Sequence, residues 1–62
     1  MTQRQYEVGQ LVCENLTYDE IAERLGISKS TVKVHLDALR SKLGVEKKRQ
    51  IPKAMREMGL ID

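Results

Sequence analysis

Apolar residues fall into four clusters along the chain, each at helical spacing. Val8, Leu11, Val12 and Leu16 form the first, and Ile21, Ala22 and Leu25 the second. Val32, Leu36, Leu39 and Leu43 form the third, and Ile51, Met55 and Met58 the last. Steps of three and four residues place each cluster on one face of an α-helix, because a turn takes about 3.6 residues. The pattern predicts an all-α chain of four helices, each with one apolar face.

The residues between the clusters set where the helices start and stop. Thr2 and Gln5 have the spacing of a capping box, and the helix they open runs to about Asn15. Asn15 and Leu16 then make the link, asparagine being one of the few non-glycine residues that tolerates a left-handed turn. Thr17 and Glu20 repeat the capping-box spacing ahead of the second cluster, with Tyr18 and Asp19 opening that helix. Gly26 ends it, Ile27 can pack back onto it, and Ser28 caps the third helix. Three residues between a short helix and a longer one predict a helix-turn-helix, with the second helix offered to a groove. Gly44 stops the third helix, and Val45 packs behind it. Pro52 cannot sit inside a helix without losing a backbone hydrogen bond, so the last helix is expected to start near Gln50 to Pro52 and to end at Gly59. Gly9 inside the first helix costs roughly 0.5–1 kcal/mol relative to alanine. It marks either a close approach by another helix or a weak spot.

Opposite the buried stripe of the third helix stand Ser30, Lys33, Val34, Asp37 and Ser41. Lys29 and Arg40 flank this side on one edge and Lys42 on the other, which suits long cations reaching for the phosphates of a groove. A valine in the middle of a solvated face is an oddity that a plain surface helix does not need, and it can touch a thymine methyl. Lys33 can donate to guanine O6 and N7, and Asp37 can accept from the amino group of cytosine.

Net charge is only +2, but its distribution is uneven. From Met1 to Ile27 two basic residues stand against five acidic, net −3; from Ser28 to Arg49 seven stand against two, net +5. The last thirteen residues balance. Positive charge concentrated on one helix and the loop after it is the footprint of a nucleic-acid binder. Candidate phosphate contacts are Ser28, Lys29, Ser30, Thr31, Arg40, Lys42, Lys47, Lys48 and Arg49. A solvated charged loop is an equally good reading of the Lys47-Lys48-Arg49 run.

Sixty-two residues make one domain, 1–62, with a thin core, and pairing with a second copy would support it. No apolar run is long enough to cross a membrane and no leader is visible, so a cytoplasmic protein is expected. One cysteine and one histidine build neither a disulfide nor a metal cage. Cys13 reads as a small buried apolar residue, His35 as a packed or phosphate-facing side chain, and the methionines as gap-fillers. No phosphate loop, motif-placed carboxylate pair or activated nucleophile appears, so neither a cofactor nor an enzyme is expected.

The run STVKVHLDALRSKLGV, with LTYDEIAERLGIS before it and GLI near the end, closely resembles the LuxR/GerE-type helix-turn-helix of bacterial transcription regulators. The resemblance extends from Thr2 to Ile61. It implies a four-helix DNA-binding domain, a winged-helix-like arrangement without a wing, whose third helix (about 29–43) enters the major groove. The fourth helix pairs two copies. Carried over position by position, base contacts fall on Lys33, Val34 and Asp37, although basic or uncharged polar residues are more usual where Asp37 stands. Glutamate is more usual at position 5, a bulky apolar residue at Gly9, and Asn-Lys at Tyr18-Asp19. The implied dimer interface is Ile51, Met55 and Met58, with Leu60 and Ile61 adjoining. Sequence-specific binding of double-stranded DNA by a bacterial or phage homodimer that regulates transcription is the leading expectation. Two rivals stand beside it. One is a promoter-binding module that also contacts RNA polymerase, as a sigma-factor domain does; the other is a protein-interaction module or inhibitor using the same helix.

Overall fold

In the computed structural model, which describes residues 2–61, helix α1 spans Gln3–Cys13, α2 Tyr18–Leu25, α3 Lys29–Leu43 and α4 Ile51–Glu57. A single 3-10 turn, Lys48–Gln50, leads into α4, and no strand occurs among the described residues. The first three helices start on hydroxyl caps. Thr2 Oγ1 accepts from the Gln5 N–H at 3.1 Å while Gln5 Oε1 accepts from the Thr2 N–H at 3.2 Å. Thr17 and Glu20 reproduce this exchange at 3.2 and 2.8 Å. Ser28 Oγ accepts from the Thr31 N–H at 3.1 Å. Each cap satisfies a backbone donor that the first turn of a helix leaves without an internal partner.

The helix ends follow the same chemistry in reverse. Gly26 takes φ +68° and Gly44 φ +72°, the left-handed region in which a Cβ is strained. This turns the chain so that the Ile27 N–H reaches the Ala22 carbonyl at 3.0 Å and the Val45 N–H reaches that of Arg40 at 3.1 Å. Asn15 stands at φ +65° as expected of the link. It lies outside α1, which ends at Cys13, two residues before the expected boundary, because Glu14 already serves as its cap. The last helix is also shorter than expected. Pro52 sits in its first turn, where the missing N–H costs nothing, and the helix stops at Glu57, ahead of Gly59.

Helix α1 packs on both α3 and α4, and α2 packs on α3. Val8, Leu11, Val12, Ile21, Ala22, Val32, Leu36, Leu39, Ile51 and Met55 make one core. Leu16 and Leu43 are half-buried against it, and so is Cys13, whose thiol pKa is raised by that burial. Gly9 is buried where α1 meets α3 and α4. A Cβ there would stand 2.7 Å from Met55 Sδ and 2.9 Å from Leu39 Cδ2, so the glycine is a close approach.

This packing corrects the expected dimer surface. Ile51 and Met55 are wholly buried, closing the core over α1 and α3, and neither is exposed to a second copy. A chain this small has few apolar groups to spare, and the i, i+4 pair of its last helix is used as the lid. Of the same cluster only Met58 is exposed, at 57%. Leu60 and Ile61 are partly buried against the core, and the Leu60 carbonyl accepts from the Tyr6 hydroxyl at 2.9 Å, clipping the C-terminal segment to α1.

Candidate nucleic-acid interface

The caps at Thr17, Gly26 and Ser28 hold α2 and α3 in a helix-turn-helix, and the buried stripe Val32, Leu36 and Leu39 fixes the roll of α3. Its outer side then carries Ser30, Lys33, Val34, Asp37 and Ser41, all exposed. Val34 is 65% exposed, the most open of the large apolar side chains among the described residues. Its neighbours Lys33 and Asp37 project from the same N-terminal and middle turns. Ser28, Ser30 and Thr31 surround the start of the helix, where backbone N–H groups point outward; the Ser28 and Thr31 hydroxyls lie 2.8 Å apart in a hydrogen bond.

The expected cations divide into two groups. Lys33, Lys42, Lys47 and Arg49 are exposed and form no ion pair among the described residues. Lys29 remains half-exposed although its ammonium stands 3.6 Å from Asp19, a bridge that ties the start of α3 to that of α2. Arg40 and Lys48 make contacts within the protein that the sequence does not reveal. The Arg40 guanidinium bonds the Asp37 carboxylate and, at 2.7 Å, the Glu46 carbonyl. The Lys48 ammonium donates to the Leu16 carbonyl at 3.1 Å and lies 4.7 Å from the centre of the Tyr18 ring. These two side chains hold the loop after α3 in place, and their charges are directed at the protein. Both sit where the chain folds back on itself, which brings carbonyl oxygens and a ring face within their reach.

Gln50 is a positioning residue that the sequence pattern does not reveal. Its Oε1 accepts from the backbone N–H groups of Glu46 and Lys47 at 3.0 and 2.8 Å, ordering the turn that carries Lys47 and Arg49. Only the three-residue spacing from Lys47 hints at this, and lysine is not a residue that marks a cap. An open groove of about 570 Å³ lies between this loop and the α1–α2 link, lined by Leu16, Thr17, Lys47, Lys48, Arg49 and Pro52 among others. It brings the start of α2 beside the basic loop. His35 is half-buried at the margin of the α3 stripe. No cluster of His, Cys, Asp or Glu among the described residues is arranged to hold a metal, and no described helix is long and apolar enough to cross a membrane.

A short helix and a longer one meeting across three residues, with basic and apolar groups side by side on the outer face of the second, define a DNA-binding helix-turn-helix protein. The profile of the luxR family of bacterial regulatory proteins matches residues 1–54, and the chain belongs to that family. Its members are DNA-binding regulators rather than enzymes. The chain is similar to spore germination protein GerE of Bacillus subtilis (strain 168), with 36% identity over 62 residues that cover all of this chain and 84% of that protein. Among solved structures it matches the response regulator ChrA of a heme-sensing two-component system. The TM-score is 0.93 with 37% identity, over 97% of this chain. The chain spans 30% of the length of ChrA.

Proposed function

We propose that residues 1–62 act as one unit that binds double-stranded DNA at a specific sequence, as a homodimer, and regulates transcription from the cytoplasm. Helix α3 enters the major groove. The observation that carries this reading is Val34, an apolar side chain left 65% exposed at the centre of a face whose other members are polar or charged. Solvent disfavours it there, whereas a thymine methyl accommodates it. Lys33 and Asp37 read the neighbouring base edges. Ser28, Lys29, Ser30, Thr31, Lys42, Lys47 and Arg49 hold phosphates, and the N-terminus of α3 adds its own N–H groups. Pairing runs through the outer face of α4, where Met58 is exposed and Ala54 borders a shallow groove of about 490 Å³ shared with Val45 and Glu57. Leu60 and Ile61 adjoin it.

Titrating salt against binding to random and pool-selected duplexes tests the reading. Affinity is expected to fall steeply with salt on both, as counterions are released, with selected sites bound at least about a thousandfold tighter. Equal affinity for both duplexes at every salt concentration would remove sequence-specific recognition. Weak, nearly salt-independent binding to both would turn the outer face of α3 into a surface for protein.

A further inference from the structure

Arg40 stands on the edge of the outer face of α3, three residues after Asp37, with its side chain only 33% exposed while that of Asp37 is 64% exposed. One guanidinium makes two bonds in different directions. Nη2 donates to Asp37 Oδ1, and Nη1 donates to the Glu46 carbonyl at 2.7 Å. The N–H of Glu46 is held in turn by Gln50 Oε1 at 3.0 Å, together with that of Lys47 at 2.8 Å. Asp37 and the loop that carries Lys47 and Arg49 are therefore joined through a single side chain.

Resting on the DNA-binding reading above, we propose that Arg40 is a positioning residue for sequence readout. It fixes the Asp37 carboxylate against α3 and offsets its charge, so that the second carboxylate oxygen is presented to the amino group of a base. Three physical points support this. A lone carboxylate entering a groove walled by phosphates is repelled by them, and an adjoining guanidinium offsets that repulsion. A carboxylate free to rotate accepts from the amino groups of cytosine and adenine alike, whereas one held at Oδ1 offers an acceptor in one place. The planar fork of arginine spans Asp37 and the Glu46 carbonyl together, which the point charge of lysine does not. A guanidinium committed in this way is not a phosphate ligand, and that separates the proposal from the usual part of an arginine at a groove edge.

Site selection from a random duplex pool, run in parallel on the wild-type chain, Arg40→Gln, Arg40→Lys, Asp37→Asn and the Arg40→Gln/Asp37→Asn double variant, decides the matter. The wild-type chain is expected to enrich one motif. Arg40→Gln and Asp37→Asn should relax preference at the same base pair by about tenfold, the double variant no further than Asp37→Asn, and Arg40→Lys by less. An arginine bound directly to phosphate behaves otherwise: its loss weakens all sequences alike and lowers the slope of log affinity against log salt by about 0.9. That pattern, with wild-type preference kept in Arg40→Gln and Arg40→Lys, overturns the role. Asp37→Asn approaches the pair from its other end should Arg40→Gln fold poorly, and wild-type preference there overturns the role too. A wild-type chain that enriches no motif defeats the DNA reading, and the role with it.

Discussion

At Gly9 a hydrogen occupies the place where a Cβ would press on Met55 Sδ at 2.7 Å and Leu39 Cδ2 at 2.9 Å. Both neighbours are wholly buried, so their flexible ends have little room to move. Alanine gains roughly 0.5–1 kcal/mol of helix propensity at this position but incurs an overpacking cost of about 1–3 kcal/mol. Gly9→Ala is therefore expected to lower stability by about 1 kcal/mol, read from urea unfolding, and an increase would show that Met55 repacks freely. Whether the glycine marked a contact or a weak spot was open in the sequence, because nothing in α1 itself says which helices cross it. Glu20 was legible down to its atoms. Its carboxylate accepts the Thr17 N–H, and that bond, followed by one to the carboxylate from the Thr17 side chain, lowers its pKa. A group depressed on folding contributes stability above its unfolded pKa and loses it as pH falls through the folded value. The wild-type chain should thus lose thermal stability below about pH 4.3 more steeply than Glu20→Gln, whose amide keeps the cap at every pH. Parallel melting curves for the two proteins between pH 6 and pH 2, by contrast, would place the effect of acid elsewhere.

The starts of the first three helices and the stops of α2 and α3 were readable because caps and C-terminal glycines act over three or four residues, whereas α1 and α4, which end on no glycine, stop earlier than expected. The buried stripe of α3 came from the same local periodicity. What the sequence withheld was the destination of the long cations, since a lysine stem reaches across elements that only the fold brings together. Lys47, Lys48 and Arg49 are consecutive and alike in composition, yet Lys48 alone turns back to the Leu16 carbonyl and the Tyr18 ring. Arg40 is diverted in the same way by Asp37 and Glu46. Two substitutions separate the kinds of lysine. Lys33→Ala removes a group proposed to read bases from the open face and should weaken binding to the selected site by about 1–3 kcal/mol, with stability within about 0.5 kcal/mol of wild type. Lys48→Ala should do the reverse, lowering stability by about 1 kcal/mol through the lost cation–π contact and hydrogen bond while leaving the salt slope unchanged. A drop in slope near 0.9 for Lys48→Ala would return that lysine to the phosphates.

At the scale of the whole molecule, the burial of Ile51 and Met55 limits what is left to hold the two copies of the proposed dimer together. Met58 and the margin around Ala54 are a small apolar surface, far below what a stable protein–protein interface buries, so contact between protomers should be weak without DNA. Two half-sites on one duplex raise the effective concentration of one protomer beside the other, and that linkage can complete the dimer. Sedimentation should accordingly find a monomer at roughly micromolar concentration alone and two protomers per duplex when both half-sites are present. Lys29, Lys42, Lys47 and Arg49 are the cations proposed to face phosphates in each protomer, and at about 0.9 per phosphate they give a salt slope of roughly −4 on a half-site and about −7 on the full site. Met58→Lys places a charge where the copies are proposed to meet, at an exposed position where it disturbs little else. It should leave the half-site slope near −4 and abolish cooperative filling of the full site. Ile51→Lys, by contrast, should unfold the chain, because that side chain is in the core. If Met58→Lys fills the full site as cooperatively as wild type, the copies do not meet on the outer face of α4.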